Sequence, residues 1–405
     1  MVVVPKLRLK KEDGSNFSDW CAVPFGKLIE AYTDKTKSNN EDILLSSAIE
    51  GMFLNSELYD KPRSNNNVGY LKIKKGTLIL STQNLHLGNA NVNMRFEHGI
   101  ISPAYKTYNI VGCMPEFMAQ WIKRDETKRF FFNATTTGAS QCRRNVEWDI
   151  LMNQMVMIPS KEEQKAIVDF FEVLDKKIDL QDKKVNLLQE RRKGLLQHIL
   201  EQDYSFLDEF GNEYPEWEEN TLDSYLYESK ERNKNNIYDK SDVLSVSKDY
   251  GVINQIKYLG KSMAGEDLSN YHCVKPNDVV YTKSPLGKQP YGIIKCSEVE
   301  GVVSTLYAVY HCNDNVIPKF IDLYFSLNDN LNSYLKPLVN IGAKHDMKVT
   351  NDVAISGFVH FPSSKEEQKA IVDFFEVLDK HINIEKEKLN LLKKEKRGFI
   401  QQMFI

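Results

Sequence analysis

Two stretches of this chain place their apolar residues three and four positions apart over many turns. In the first, Ile167, Phe171, Leu174, Ile178, Val185, Leu188, Leu195 and Ile199 form one stripe; in the second, Ile371, Phe375, Leu378, Ile382, Leu389, Leu392, Phe399 and Met403 do the same. Such spacing predicts an amphipathic helix with a heptad seam that needs an apolar partner. Both stretches are free of proline and rich in Leu, Lys, Glu and Gln. Each is therefore expected to be one helix, about 60 Å long for roughly forty residues at 1.5 Å per residue.

The two stretches are copies. Residues 160–176 and 364–380 are identical (SKEEQKAIVDFFEVLDK), and past them Asn186, Leu187, Leu188, Gly194 and Gln197 recur in register as Asn390, Leu391, Leu392, Gly398 and Gln401. Ser160 and Ser364 are placed to cap the first free amides, with Glu163 and Glu367 three residues on to complete capping boxes, and Pro159 and Pro362 stand just outside. Each seam carries two polar breaks, Gln181 and Arg192 in the first copy, Glu385 and Lys396 in the second. An antiparallel coiled coil that joins Arg192 to Glu385 and Gln181 to Lys396 gives every break a partner. That register also sets Ile178 against Phe399, Val185 against Leu392 and Leu195 against Ile382, with Leu188 and Leu389 on the same seam. Phe170, Val173, Leu187, Phe374, Val377 and Leu391 lie off the seam and are left for some other cover.

The repeat continues more faintly outside the helices. Gly14, Phe17 and Trp20 match Gly211, Tyr214 and Trp217; residues 99–108 (GIISPAYKTY) echo 301–310 (GVVSTLYAVY); Pro115 and Phe117 echo Pro318 and Phe320; Gly138-Ala139 echo Gly342-Ala343. The expected organisation is a first globular domain at 1–158, a long helix at 159–202, a second domain at 203–361 and a second long helix at 362–405. Each domain is large enough for a core of its own. Short β-rich runs at 77–80, 279–281 and 302–310, with helical stretches near 115–123 and 318–331, place the fold class as α/β or α+β, a sheet flanked by helices.

Composition narrows the function. The chain has 405 residues and a net charge of −3, with no apolar run long enough for a bilayer or a secretion signal, so a soluble cytoplasmic protein is expected. Its six cysteines form no CxxC pair, which supports neither zinc nor a disulfide framework. There is no GxxxxGK[ST], HExxH or GxSxG. His272, between Tyr271 and Cys273, lacks ligand spacing and reads as a packed or exposed ring rather than a metal ligand. A repeat this close without a repeated catalytic constellation points to recognition, not chemistry, with no metal and no cofactor in this chain.

Two differing globular domains, each closed by a P-x(0,1)-SKEEQKAIVDFF helix, resemble the specificity subunit (HsdS family) of Type I restriction-modification enzymes over essentially the whole chain. The likeness rests on Glu163, Gln164, Ile167 and Leu174 with Glu367, Gln368, Ile371 and Leu378, on Trp20 and Trp217, and on residues 243–284. It implies a non-catalytic subunit in which two target-recognition domains each read half of a bipartite double-stranded DNA target. The helix pair would set the spacer and bind methyltransferase subunits, two being expected, and motor-nuclease subunits would join in the full complex. S-adenosylmethionine, ATP and Mg would belong to those partners. An adenine methyltransferase in its own right would need a cofactor loop and an N/D-P-P-aromatic motif, and neither occurs.

A DNA reader needs Lys and Arg for phosphates and Arg, Lys, Asn, Gln, Ser or Thr for base edges. Polar loops offer such residues at Thr82, Gln83, Asn84, Ser140, Gln141, Arg143 and Arg144 in the first half, and at Lys283, Ser284, Lys288, Gln289, Lys344, His345 and Lys348 in the second. The basic runs at Lys6, Arg8, Lys10 and Lys11 and at 121–130 are further phosphate candidates, although such runs beside acidic residues usually form solvated faces. The alternative is a duplicated coiled-coil scaffold or regulator whose globular domains bind a ligand other than DNA. Steep loss of DNA affinity with salt separates the two.

Overall fold

The computed structural model describes residues 4–60, 66–140, 143–283, 290–341 and 347–405. The chain forms two compact units, Met1–Lys183 with Lys386–Ile405, and Lys184–Glu385, and the long helices Lys161–Leu200 and Lys365–Gln402 each contribute to both. Mixed helix and strand with two such helices is the expected class; the strand pairs among the described residues are antiparallel, with isolated parallel bridges at Leu44–Ile100 and Val243–Val302.

The first unit centres on a four-stranded sheet in the order Ile29–Ala31, Tyr105–Ile110, Leu78–Ser81, Ala90–Val92. Leu78–Ser81 is buried on both faces, which explains its uninterrupted apolar run. On one face Ile79 packs with Leu45, Met52, Leu71, Ile73 and Ile101, from the hairpins Leu45–Ser47 with Met52–Leu54 and Leu71–Lys74 with His98–Ile101. On the other, Leu78 and Leu80 join the main core with Phe117, Trp121 and Phe131 from the helices Pro115–Trp121 and Asp125–Asn133. Cys21–Pro24 pairs with Met155–Ile158, whose end leads into the long helix.

The second unit repeats this plan strand for strand. Its sheet runs Leu226–Glu228, Tyr307–Cys312, Val279–Thr282, Ile293–Cys296. Val280 faces the hairpin Leu244–Ser247 with Gly251–Asn254, while Val279 and Tyr281 face the core that holds Phe320, Leu331 and Leu335. Trp217–Thr221 pairs with Phe358–Pro362 just ahead of the second long helix.

What fixes each domain to its helix is a buried glutamine. Gln164 donates from Nε2 to the Pro159 carbonyl (2.9 Å) and accepts the Met114 N–H on Oε1 (2.8 Å). Gln368 does the same with Pro362 (3.0 Å) and Ile317 (2.8 Å), and also donates to Asn315 (3.2 Å). Met114 and Ile317 are the N-cap residues of Pro115–Trp121 and Pro318–Tyr324, so each glutamine ties two helix starts together. Ser160 and Ser364 accept the Glu163 and Glu367 N–H groups at 3.2 Å, as capping requires. The reciprocal half of the expected capping boxes is replaced: Glu163 takes a two-pronged bond from Arg8 (2.9 and 2.8 Å), and Glu367 accepts the Trp217 indole N–H (3.1 Å). Burial raises the Glu367 carboxyl above its usual range, with the indole bond opposing.

Within each unit the two helices run antiparallel. In the first, Lys396 pairs with Asp175, Lys393 approaches Asp182 (3.7 Å), and the Phe170 and Phe399 rings meet at 5.0 Å. In the second, Arg192 grips Asp379 and Lys184 pairs with Glu385 (2.7 Å). Arg192 thus meets Asp379 rather than Glu385, and Lys396 meets Asp175 rather than Gln181, a shift of about one heptad from the register read in the sequence. Sliding two heptad seams by seven residues leaves the type of every apolar contact unchanged, so the seam alone cannot choose. The choice falls to these ion pairs and to the helix ends. Leu196 and Ile199 enter the core of the second unit, and Ile400, Met403 and Phe404 enter that of the first. None of the described helices is long and apolar enough to cross a membrane.

Replacing Gln368 by Met keeps the volume and removes every bond of the clamp. It should cost about 2–4 kcal/mol in urea unfolding, since a buried backbone N–H and two carbonyls lose their partners, whereas Arg192→Ala at the half-exposed ion pair should cost under about 1 kcal/mol.

Candidate nucleic-acid interface

The turns at the exposed end of each central strand hold several of the sequence candidates. In the first unit the Gln83 and Asn84 amides donate to Ser81 Oγ (3.4 and 3.1 Å), which fixes the turn and leaves both side chains exposed. Thr82 spends its hydroxyl proton on the Ala104 carbonyl (2.8 Å). Gln83 and Asn84 border a hollow of about 190 Å³ lined also by Ser46, Asn55, Tyr59, Tyr70, Ser102 and Tyr105, with no charged group among the described residues of its wall. Amides that both donate and accept, set among hydroxyls, match the N6/N7 edge of adenine better than a phosphate.

Arg144 spends two of its donors within the protein. Its Nε and Nη2 donate to Thr135 Oγ1 and the Thr135 carbonyl, both at 2.7 Å, and its guanidinium lies 4.1 Å from the Phe132 ring centre. It braces the hairpin Thr135–Ser140 with Arg143–Val146. Gln141, Ser284, Lys288, Gln289, Lys344 and His345 lie outside the described residues, as do the side chains of Ser140, Arg143 and Lys348.

Lys283 follows the central strand of the second unit as Thr82 does in the first. Its ammonium donates to Asn351 Oδ1 (3.0 Å), and Asn351 Nδ2 donates to Glu228 (2.6 Å). Burial lowers the Lys283 pKa, with Glu228 opposing and Arg232 adding. Gly292, where the chain returns to the sheet, has φ +94° and would place a Cβ 2.0 Å from the Thr282 carbonyl, so only glycine fits.

Beside Lys283 lies a group that sequence reasoning passed over. Arg232 forms an antiparallel bridge with His272, and His272 is 2% exposed. Burial, then the charges of Arg232 and Lys283, push the imidazole down to about 4. His272 Nδ1, Arg232 Nη1 and Ser229 Oγ are buried without a hydrogen-bond partner among the described residues. One signal was available. His272 pairs with Val303 as Leu71 pairs with Ile101, so under the internal repeat a histidine stands where the first domain has a core leucine.

Part of the basic runs is consumed inside the protein, while Lys6, Lys10, Lys128 and Arg129 stay exposed. Lys123 donates to the Ile49 carbonyl (3.1 Å) and Asn91 (2.7 Å), and burial lowers it to about 8. Arg124 donates to the Ile405 carbonyl, Arg8 is committed to Glu163, and Lys11 pairs with Glu162 (3.0 Å).

The same amide-to-hydroxyl pair recurs beside both strand ends. Asn55 Nδ2 donates to Ser46 Oγ (2.8 Å), and at the matching hairpin Gln255 Nε2 donates to Ser245 Oγ (2.7 Å). The scaffold is shared while the chemistry around it differs, neutral in one domain and cationic in the other.

No protein-family model matches the chain. Solved structures resemble it along nearly its whole length: the HsdS subunit from Thermoanaerobacter tengcongensis (16% identity, TM-score 0.46, 98% of each chain), the S subunit of a Type-I restriction-modification system from M. genitalium (14%, 0.47, 100% of this chain and 99% of that one), and a chain from a structure of complex assembly and conformational transition in the type I R-M system (16%, 0.54, 95% and 97%). The third likeness identifies the fold.

His272 makes stability depend on pH in a definite direction. Below the ordinary imidazole value of 6.5 the unfolded chain binds a proton that the folded ring refuses until about 4. Its contribution therefore worsens as pH falls through that window and is absent above it. His272→Leu, the residue of the matching position, should gain on the wild type by roughly 2 kcal/mol more at pH 5 than at pH 7.5. Urea midpoints at the two pH values check this, and an equal difference at both would mean that the ring is not held neutral.

Proposed function

We propose that this chain is the DNA-binding specificity subunit of a Type I restriction-modification complex, itself without a catalytic step. Each globular unit reads one half of a bipartite duplex target. The helix pair sets the spacer and docks methyltransferase subunits, two in number, and so directs adenine methylation, or restriction when motor-nuclease subunits join. S-adenosylmethionine, ATP and Mg act in those partners, and the complex works in the cytoplasm. The observation that carries this reading is one scaffold used twice with different side-chain chemistry at the same strand end, which is what two readers of unlike half-sites require. The fold shared with a chain of the type I R-M system supports it.

Docking on the helices is supported by a second apolar stripe. Val173, Leu180 and Leu187 on the first helix, and Val377, Ile384 and Leu391 on the second, are 61–68% exposed and recur every seven residues. A heptad of exposed aliphatic side chains is what a partner helix packs on. Leu180→Glu with Ile384→Glu should weaken capture of the methyltransferase subunits at least about tenfold, as loss of a buried interface anchor does, while circular dichroism stays unchanged.

Methylation mapping in cells that express the chain with its methyltransferase subunits tests the whole reading. One bipartite adenine motif should appear and should vanish when the chain is deleted. Identical methylomes with both proteins expressed would reject it in favour of a scaffold that binds something else.

A further inference from the structure

In the second unit basic side chains gather around Arg232, next to polar atoms that are buried without a partner among the described residues. The strand Leu226–Glu228 continues into Ser229, whose N–H bonds the Val309 carbonyl (2.8 Å), and the chain then turns to set Arg232 beside His272. Lys283 leaves the neighbouring central strand at the same end, its N–H bonded to the Leu306 carbonyl (3.2 Å). Arg232, His272 and Lys283 therefore converge where three chain segments meet.

The site is over-supplied with donors. Asn351 bridges the Lys283 ammonium and the Glu228 carboxylate, which fixes both and leaves Arg232 Nη1, Ser229 Oγ and the His272 ring without an acceptor among the described residues. A buried N–H of a charged group left unpaired costs more than an ordinary missing hydrogen bond, so its persistence needs a reason. Folding does not supply it. At the matching place the first domain has Leu71, packed with Leu45 and Ile101, beside an exposed Lys35 that makes the same bridge. An apolar residue and a solvated lysine serve the scaffold equally well. The histidine and the buried guanidinium are additions of the second domain.

We propose that Arg232 and Lys283 hold a backbone phosphate of the DNA, with the His272 ring beside them, and this assignment rests on the chain being a DNA reader. The chemistry favours an oxyanion: a planar fork and an ammonium both donate, and Glu228, the carboxylate linked to the cluster, is held by Asn351. Among the described residues the first domain shows no equivalent, so the anchor is one-sided.

The test uses the full chain assembled with its methyltransferase subunits, on duplexes that carry the mapped target or a base-substituted second half-site, over a salt series. Arg232→Ala should weaken binding about tenfold or more on every duplex alike. The slope of log affinity against log salt should fall by about one, as for one lost phosphate contact. Arg232→Lys should keep the slope and lose only part of the affinity, and it covers the case in which the alanine variant fails to fold, because lysine occupies the matching position of the first domain. Unchanged affinity and slope for Arg232→Ala beside a binding wild type would overturn the phosphate site and leave the reader intact. An unchanged slope with altered preference at one base pair would overturn it in favour of a base edge. A wild-type complex that binds no duplex would remove the reading itself.

Discussion

Everything in each unit hangs on one buried amide side chain. Gln164 and Gln368 each accept the N–H of a helix N-cap residue and donate to the carbonyl of the proline that precedes their own helix. An amide is the one neutral side chain that donates and accepts at once from adjacent atoms, so a single residue satisfies two backbone groups that burial would otherwise strand. The consequence is directional. The start of the long helix cannot rotate about its axis without breaking bonds to the domain, so the faces of Ile167 and Phe171, or Ile371 and Phe375, are aimed into the core by the same contact. Because the clamp is internal to the repeat, it places the domain on the helix identically whatever side chains the loops carry.

The sequence made the helices legible because their signals are local. Ser160 and Ser364 cap at the expected amides, and much of each apolar stripe is buried, although toward the far ends Leu196 and Ile400 take the buried places expected of Leu195 and Phe399. Two things failed for physical reasons. The Glu163 and Glu367 side chains left their capping boxes for Arg8 and Trp217, distant partners that no local pattern announces. The register of the helix pair came out about one heptad away, since a periodic seam is indifferent to a slide by its own period. Ends and charges broke that degeneracy, and the aromatic end of the second helix did most. Phe404 sits 5.1 Å from Phe117 and 6.2 Å from Phe171, a contact set that a slipped helix could not make.

Strand-end chemistry was half legible. Polar residues after a short apolar run marked the turn at Gln83 and Asn84 and the position of Lys283, because a buried strand must be followed by a polar exit. Arg144 looks wholly available in a polar loop, whereas its own hairpin takes up two of its donors. His272 was read as a packed or exposed ring, and it is packed, but its polar neighbours were not foreseen. Taken alone, a histidine flanked by Tyr271 and Cys273 is unremarkable. Its meaning emerges only when strand pairing aligns it with Leu71, an alignment that the faint repeat between these segments could not supply.

Duplication of this kind relaxes a conflict that a single domain faces. A recognition site needs unpaired donors and acceptors, and unpaired polar groups destabilise the fold that carries them. Here the stabilising parts lie in one place and the variable parts in another. The glutamine clamp, the sheet and the amide-to-serine pairs Asn55–Ser46 and Gln255–Ser245 are common to both units, and the differing residues gather where the central strands end. A domain anchored this way can exchange an uncharged hollow for a cationic one without disturbing its core. The exception locates the limit: His272 reaches back into a core position, and at that point a change in ligand chemistry becomes a change in stability as well.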